Sequence, residues 1–279
     1  MDYKDILVSQ KDVLDMLKEY EMEDFVPVAV RKEPFEKTPI WVYWEQGISN
    51  APEIVRACVN SIEVHRPHDT TELIILDADS LGKYIEIPEF VFKNTADNYT
   101  ALSNIIRVSL MYCYGGMWID ATYMFTKDMP TDIFTKDFWA AKEIYSMPEG
   151  TFLTDFTYNL MYSKPGNEML RFIYSMLCNY WKHYTSLKHY FLKDGVILYG
   201  YQFKKYPKEI IDDLEITNEN MYNFNCNRIN EYYSPEALAE KEGDNTFCFK
   251  LTYKTNILYE EICGKKTFWG YFKDTYLDI

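Results

Sequence analysis

Ser103-Asn104-Ile105-Ile106-Arg107, followed by Gly115-Gly116-Met117-Trp118-Ile119-Asp120-Ala121-Thr122, is the stretch that decides the fold. Leu102, Ile105, Ile106, Ser109, Leu110 and Cys113 recur at helical spacing, so one face of a helix is core. Ser103 and Asn104 stand four and three positions before Arg107, which puts all three on the other face. Gly115 is placed to take the left-handed turn that ends the helix. Met117-Trp118-Ile119 reads as a short buried strand, and Asp120 emerges where it ends. Ligands of open α/β sheets bind outside the carboxyl ends of strands, so this arrangement holds a carboxylate over a ligand. Taken singly, an Arg and an Asp more often form a structural ion pair. The ordered set carries the functional reading.

Upstream, Ile40 to Trp44 is an apolar run rich in β-branched and aromatic residues, a first strand, with Gln46-Gly47-Ile48-Ser49-Asn50 as the loop after it. Pro52 opens a helix through Arg66, with Ile54, Val55, Cys58, Val59 and Ile62 inward. Glu72 to Leu76 is a second strand, and Tyr84 to Phe92 is a short helix or extended piece interrupted by Pro88. This alternation predicts an α/β fold on a parallel sheet with crossover helices. Downstream come strands at Tyr123 to Thr126 and Phe138 to Ala141, an extended run from Phe152 to Met161, and a helix from Glu168 to Tyr184. Phe172, Tyr180 and Trp181 on that helix read as core packing rather than a sugar-stacking platform. Residues 185–245, rich in Tyr, Asn and acid, are expected as helices and loops on one side of the sheet. Residues 3–24 have helical period, and Val26 to Lys37 is a connector.

At 279 residues the chain can bury a full core, and 47% hydrophobic with 17% aromatic content makes it a folded protein. A formal charge of −14 argues against a nucleic-acid-binding surface and disfavours purely electrostatic attachment to anionic lipid. No apolar stretch is long enough to span a bilayer, and the mixed N-terminus does not read as a signal peptide. The six cysteines form no C-x-x-C pair, so buried free thiols in a reducing cytosol are expected. His65 and His68 flank Arg66-Pro67 in a turn and read as solvated. Neither G-x-G-x-x-G nor G-K-[ST] occurs, so no glycine cradle holds phosphate.

The Arg107 to Asp120 segment resembles the core motif of the capsular polysaccharide synthesis proteins and of the wider DxD-type sugar transferases (glycosyltransferase family 32-like). Those sequences read S-D-x-x-R, a helix, then G-G-x-[WY]-x-D-x-[DT]. The resemblance runs through Pro39 to Gly47, Ala51 to Val55 and Leu73 to Asp77, and returns weakly at Lys250-Leu251-Thr252-Tyr253-Lys254. Asn104 stands where the family has Asp, Thr122 where DxD has its second acid, and Phe249 where the family often has His.

The resemblance implies a glycosyltransferase A-type, Rossmann-like open sheet with flanking helices and a helical and loop C-terminal subregion. It divides the chain into an N-terminal helix and connector (1–37), a nucleotide-sugar-binding α/β half (38–145) and an acceptor-side half of the same domain (146–279). It further implies a retaining hexosyl transfer from a nucleotide-sugar, UDP-sugar favoured, to a lipid-linked or glycan acceptor in bacterial capsular or surface polysaccharide synthesis. Asp120 and Arg107 are the expected catalytic pair, with Asp120 holding a cation or the ribose. Trp41, Val42, Tyr43, Gln46, Asn104, Arg107, Ala121 and Lys250 are the expected donor-binding residues. A divalent metal, Mn2+ or Mg2+, is expected at Asp120 and Thr122. A neutral hydroxyl is a poorer ligand for a hard cation than a carboxylate, so Asp120 and the diphosphate would supply most of the coordination. The expected location is cytoplasmic, at the inner face of the membrane through peripheral association. Two other readings stay open: a nucleotide- or carbohydrate-binding relative without transfer activity, and a nucleotidyltransferase releasing pyrophosphate.

Overall fold

The computed structural model describes residues 23–96, 98–142, 156–188, 192–203, 205–224, 227–254 and 257–277. In chain order the elements are β1 (Val28–Ala29), β2 (Thr38–Tyr43), α1 (Glu53–His65), β3 (Thr71–Leu76), α2 (Ala78–Leu81), β4 (Ile85–Glu86), α3 (Glu89–Asn94), α4 (Tyr99–Tyr114) and β5 (Gly116–Ile119). There follow β6 (Tyr123–Phe125), β7 (Phe138–Lys142), β8 (Phe156–Ser163), α5 (Glu168–His183), α6 (Leu192–Phe203), α7 (Lys205–Asp212), α8 (Pro235–Glu242), β9 (Cys248–Lys250), β10 (Glu261–Ile262), β11 (Lys265–Lys266) and α9 (Phe268–Tyr276). The helix expected over residues 3–24 falls, but for its last two positions, outside the described residues.

Five strands form the main sheet in the order β3-β2-β5-β8-β7. Both β3 and β5 run parallel to β2, as the alternating pattern predicts. The far side differs from the expected parallel sheet, because β8 is antiparallel to both β5 and β7. β6 leaves this sheet to pair with β9, so the chain re-enters on the other side of β5 without a parallel crossover from it. The chain steps from β2 to β3 on one side of β2 and from β3 to β5 on the other. The carboxyl ends of β2 and β5 therefore flank a topological switch point, where such sheets open a crevice.

Strand alternation sorts the two faces. Trp41, Trp118, Met161 and Ala140 lie across the sheet in register and face a core closed by α4, α5, α6 and α7. Ile40, Met117, Tyr162 and Trp139 form the next row and face a second core with α1, α9 and the β6–β9 pair. Each of these large side chains removed from water contributes roughly 1.5–3 kcal/mol, which is what fixes the register. The segment 185–245 does not stay on one side as expected. Leu192, Val196, Ile197 and Ile211 join the first core, while Met221, Phe224, Ile229 and Leu238 join the second. Its apolar residues are spaced for two separate patches, and the sheet has two faces to cover. Trp181 and Tyr180 on α5 are core residues, as read.

His65 is not solvated. It ends α1 with Nδ1 3.0 Å from an Asp128 carboxylate oxygen and Nε2 3.0 Å from the Tyr276 hydroxyl, whereas His68 is exposed. Asn218 fastens β9: its side chain accepts from the Phe247 and Cys248 backbone N–H groups and donates to the Cys248 carbonyl. Among the described residues, no helix is long and apolar enough to cross a membrane.

Candidate functional site at the end of strand β5

The route from α4 into β5 depends on two glycines. The Asn98 side chain caps the start of α4, and the Gly115 N–H closes its end on the Met111 carbonyl. Gly115 has φ +66 and ψ −157, a region essentially reserved for glycine, rather than a simple left-handed turn. Gly116 has φ +93, and a Cβ there would stand 2.2 Å from the Pro39 carbonyl oxygen. The pair lets β5 start flush against β2, and the Gly115 carbonyl accepts the Trp41 indole N–H at 2.9 Å.

Asp120 follows β5 with the same parity as Trp118, so its side chain turns toward α4. There it meets Arg107. The guanidinium donates to Asp120 Oδ1 at 2.9 Å, to the Tyr158 carbonyl at 2.8 Å and, more weakly, to the Ser103 carbonyl and hydroxyl at 3.3 and 3.4 Å. It lies between the rings of Trp118 and Tyr158, 5.2 and 4.8 Å from their centroids. The Trp118 indole N–H donates to the same Oδ1 at 2.8 Å. Arg107 is thus buried, 3% exposed, although the helical wheel places it opposite the core.

Tyr158 reaches this cluster through an irregularity in β8. Ala140 pairs with Met161 but Lys142 pairs with Phe156, so β8 carries extra residues and Tyr158 is turned to the α4 face. Its hydroxyl donates to the Asn104 carbonyl at 3.1 Å.

The other oxygen of Asp120 belongs to Lys250. The β6–β9 pair sets Lys250 opposite Tyr123, its N–H bonds the Met221 carbonyl, and the Leu251 N–H bonds the Thr122 carbonyl. The Lys250 ammonium consequently sits 2.9 Å from Asp120 Oδ2 and 5.0 Å from the centre of the Tyr123 ring. Burial alone would raise the Asp120 carboxyl. Arg107 and Lys250, with the Trp118 hydrogen bond, outweigh it and hold the group at about 2.

The structure therefore joins Arg107, Asp120 and Lys250 in one contact set. Asn104 is half-buried one turn ahead of Arg107 on α4. Ala121 and Thr122 are buried in the turn after Asp120. Trp41 and Val42 are fully buried on opposite faces of β2, so their side chains belong to the two cores rather than to the crevice. Tyr43 ends β2 and donates to the Glu45 carboxylate, and Gln46 is exposed in the following loop. Trp118 and Tyr158 were not anticipated as members of the cluster. Strand parity with Asp120 could have found Trp118, whereas the shift in β8 has no signature in the sequence.

The carboxylate of Asp120 is engaged by protein donors at both oxygens. Oδ1 receives two donors and Oδ2 receives an ammonium, and no three His, Cys, Asp or Glu side chains gather to hold a metal among the described residues. A separate hollow of about 330 Å³ lies beyond the Phe125–Cys248 end of the β6–β9 pair, lined by residues including Lys127, Asp132, Trp139 and Phe247. It contains none of the Arg107, Asp120 and Lys250 set.

Over residues 7–270 the chain matches the family described as capsular polysaccharide synthesis protein. The O-glycosyltransferase braB of Annulohypoxylon truncatum is 30% identical over 92 residues, a match covering 29% of this chain and 22% of that protein. The chain thus matches under a quarter of that curated relative's length. Among solved structures, the PaToxG glycosyltransferase aligns with a TM-score of 0.39 at 14% identity, over 72% of this chain and 80% of that one. Arg107, the Gly115-Gly116 pair, Asp120 and Lys250 all fall inside the matched span, and the chain belongs to the capsular polysaccharide synthesis protein family.

Proposed function

We propose that the protein is a glycosyltransferase that moves a hexose from a nucleoside-diphosphate sugar, a UDP-sugar in the favoured case, to a glycan or lipid-linked acceptor in surface polysaccharide synthesis. The observation that carries this reading is the Asp120 carboxylate at the end of β5, at the switch point, held between Arg107 and Lys250. Family membership and the name of the O-glycosyltransferase relative support it. A lipid-linked acceptor would bring the chain to a membrane surface.

In the reaction, the bond from the anomeric carbon to the diphosphate oxygen breaks and a bond to the acceptor oxygen forms. The acceptor proton passes to the departing diphosphate. A retaining course of this kind needs no separate base. The departing group accumulates negative charge, and fixed cations aimed at it stabilise the transition state. Arg107 makes its contacts to protein groups and acts as a positioning residue for Asp120, while Lys250 is 19% exposed and stands at the rim.

The test is release of nucleoside diphosphate from a panel of sugar nucleotides with acceptor glycans. Turnover is expected for one donor, with Asp120→Asn lowering it about 100-fold or more, near 2.7 kcal/mol. Full turnover by Asp120→Asn would remove the role assigned. Saturable nucleotide binding without release from any donor would favour a non-catalytic relative.

A further inference from the structure

Lys250 stands at the Asp120 oxygen that Arg107 and Trp118 leave open. Its ammonium is 2.9 Å from Oδ2. It is not a loosely placed surface cation, because the backbone around it is hydrogen-bonded to both Met221 and Thr122. The ring of Tyr123 lies beneath it. A doubly charged ion bound to the same oxygen would stand within a few ångströms of the ammonium, and like charges at that range repel. The position that could have supplied a second acid is Thr122, buried in the turn. Glu45, at the end of β2, already accepts the Tyr43 hydroxyl. In formal charge the cluster of Arg107, Asp120 and Lys250 carries a net +1, which suits a diphosphate and opposes a further cation.

We propose that the Lys250 ammonium, oriented by Asp120, takes the place of a divalent metal in binding the donor diphosphate, so that donor binding is metal-independent. The proposal rests on the transferase reading above. The ammonium supplies three donors on a positively charged centre, enough to contact phosphate oxygens while one donor stays on Asp120. The arrangement differs from a metal site in being permanent, since the cation is covalently part of the chain.

Titration calorimetry of the purified protein with UDP, and in parallel with GDP, tests this in excess EDTA and in millimolar Mn2+. The dissociation constant of the wild type is expected to agree within about twofold between the two conditions. Lys250→Met should weaken binding about tenfold or more in EDTA (~1.4 kcal/mol), and Lys250→Arg should recover much of the loss. Thermal unfolding of both variants shows whether they are folded, and Lys250→Arg separates loss of charge from loss of fold. Binding by the wild type that tightens about tenfold or more with Mn2+ overturns the proposal and leaves the transferase reading intact. Undiminished binding by Lys250→Met in EDTA overturns it as well. Failure of the wild type to bind either nucleotide in any condition overturns this proposal and removes UDP- and GDP-sugars as donors, while the donor panel above decides the transferase reading.

Discussion

Asp120 owes its charge to two cations, one 13 positions before it and one 130 positions after it. Its carboxyl is held at about 2 against an ordinary 3.8. A carboxyl depressed in the folded state contributes stability above its ordinary value and loses it as pH falls through the folded value. The shift corresponds to about 2 kcal/mol at neutral pH. Urea unfolding of wild type and Asp120→Asn should therefore differ by about this amount at neutral pH, with the gap closing as pH drops from about 4 toward 2. A gap that stays constant down to about pH 2 would mean that the cations do not stabilise this carboxylate. Within this scale the sequence offered Arg107, Asp120 and Lys250 as site candidates. It misplaced Arg107, because a 16-residue helix wheel marks Arg as outward while the guanidinium is drawn inward by a carboxylate, a carbonyl and two ring faces.

At the scale of elements, the Gly115-Gly116 step positions everything else. It starts β5 against Pro39 of β2 and therefore sets where β5 ends and where Asp120 emerges. Gly116→Ala should be severely destabilising, about 4 kcal/mol or more, because the Cβ meets backbone at 2.2 Å as well as a positive φ. Gly166, after β8, has φ +75 but no heavy atom within 4 Å of an added Cβ. Gly166→Ala should cost only the conformational penalty, about 1–2 kcal/mol. Chemical unfolding of the two variants side by side measures the difference. Equal costs would show that the close approach of β2 is not what demands glycine at 116. The motif was legible as Gly-Gly; the reason for its second glycine lies in a neighbour 77 positions earlier.

The whole molecule is a sheet with two packed faces, and its thiols report on that packing. Cys58 and Cys248 are fully buried in the α1 core and Cys178 in the α5 core. Burial pushes all three thiols up, Cys178 to about 12. Cys263 is exposed. A thiol reagent at neutral pH should modify Cys263 in the native protein, and Cys58, Cys178 and Cys248 only as fast as the molecule unfolds. Peptide mass spectrometry of quenched samples reads this, and rapid labelling of Cys58 in the folded protein would contradict the packing of α1 on the sheet.

The sequence by itself determined what depends on near neighbours. Helical and strand periodicities located β2, α1, β3, α4, β5, β7 and α5, and Asp120 was marked by its place after a buried strand. Only the tertiary structure decided the antiparallel course of β8, the turning of Tyr158 by the extra residues in that strand, and the union of Lys250 with Asp120 across 130 positions. Local pattern fixes which face of an element is apolar, because that follows from the 3.6- and 2-residue periods. It does not fix which elements meet. That choice is made when two cores close on one sheet, and it is there that Asp120 acquires both of its cations.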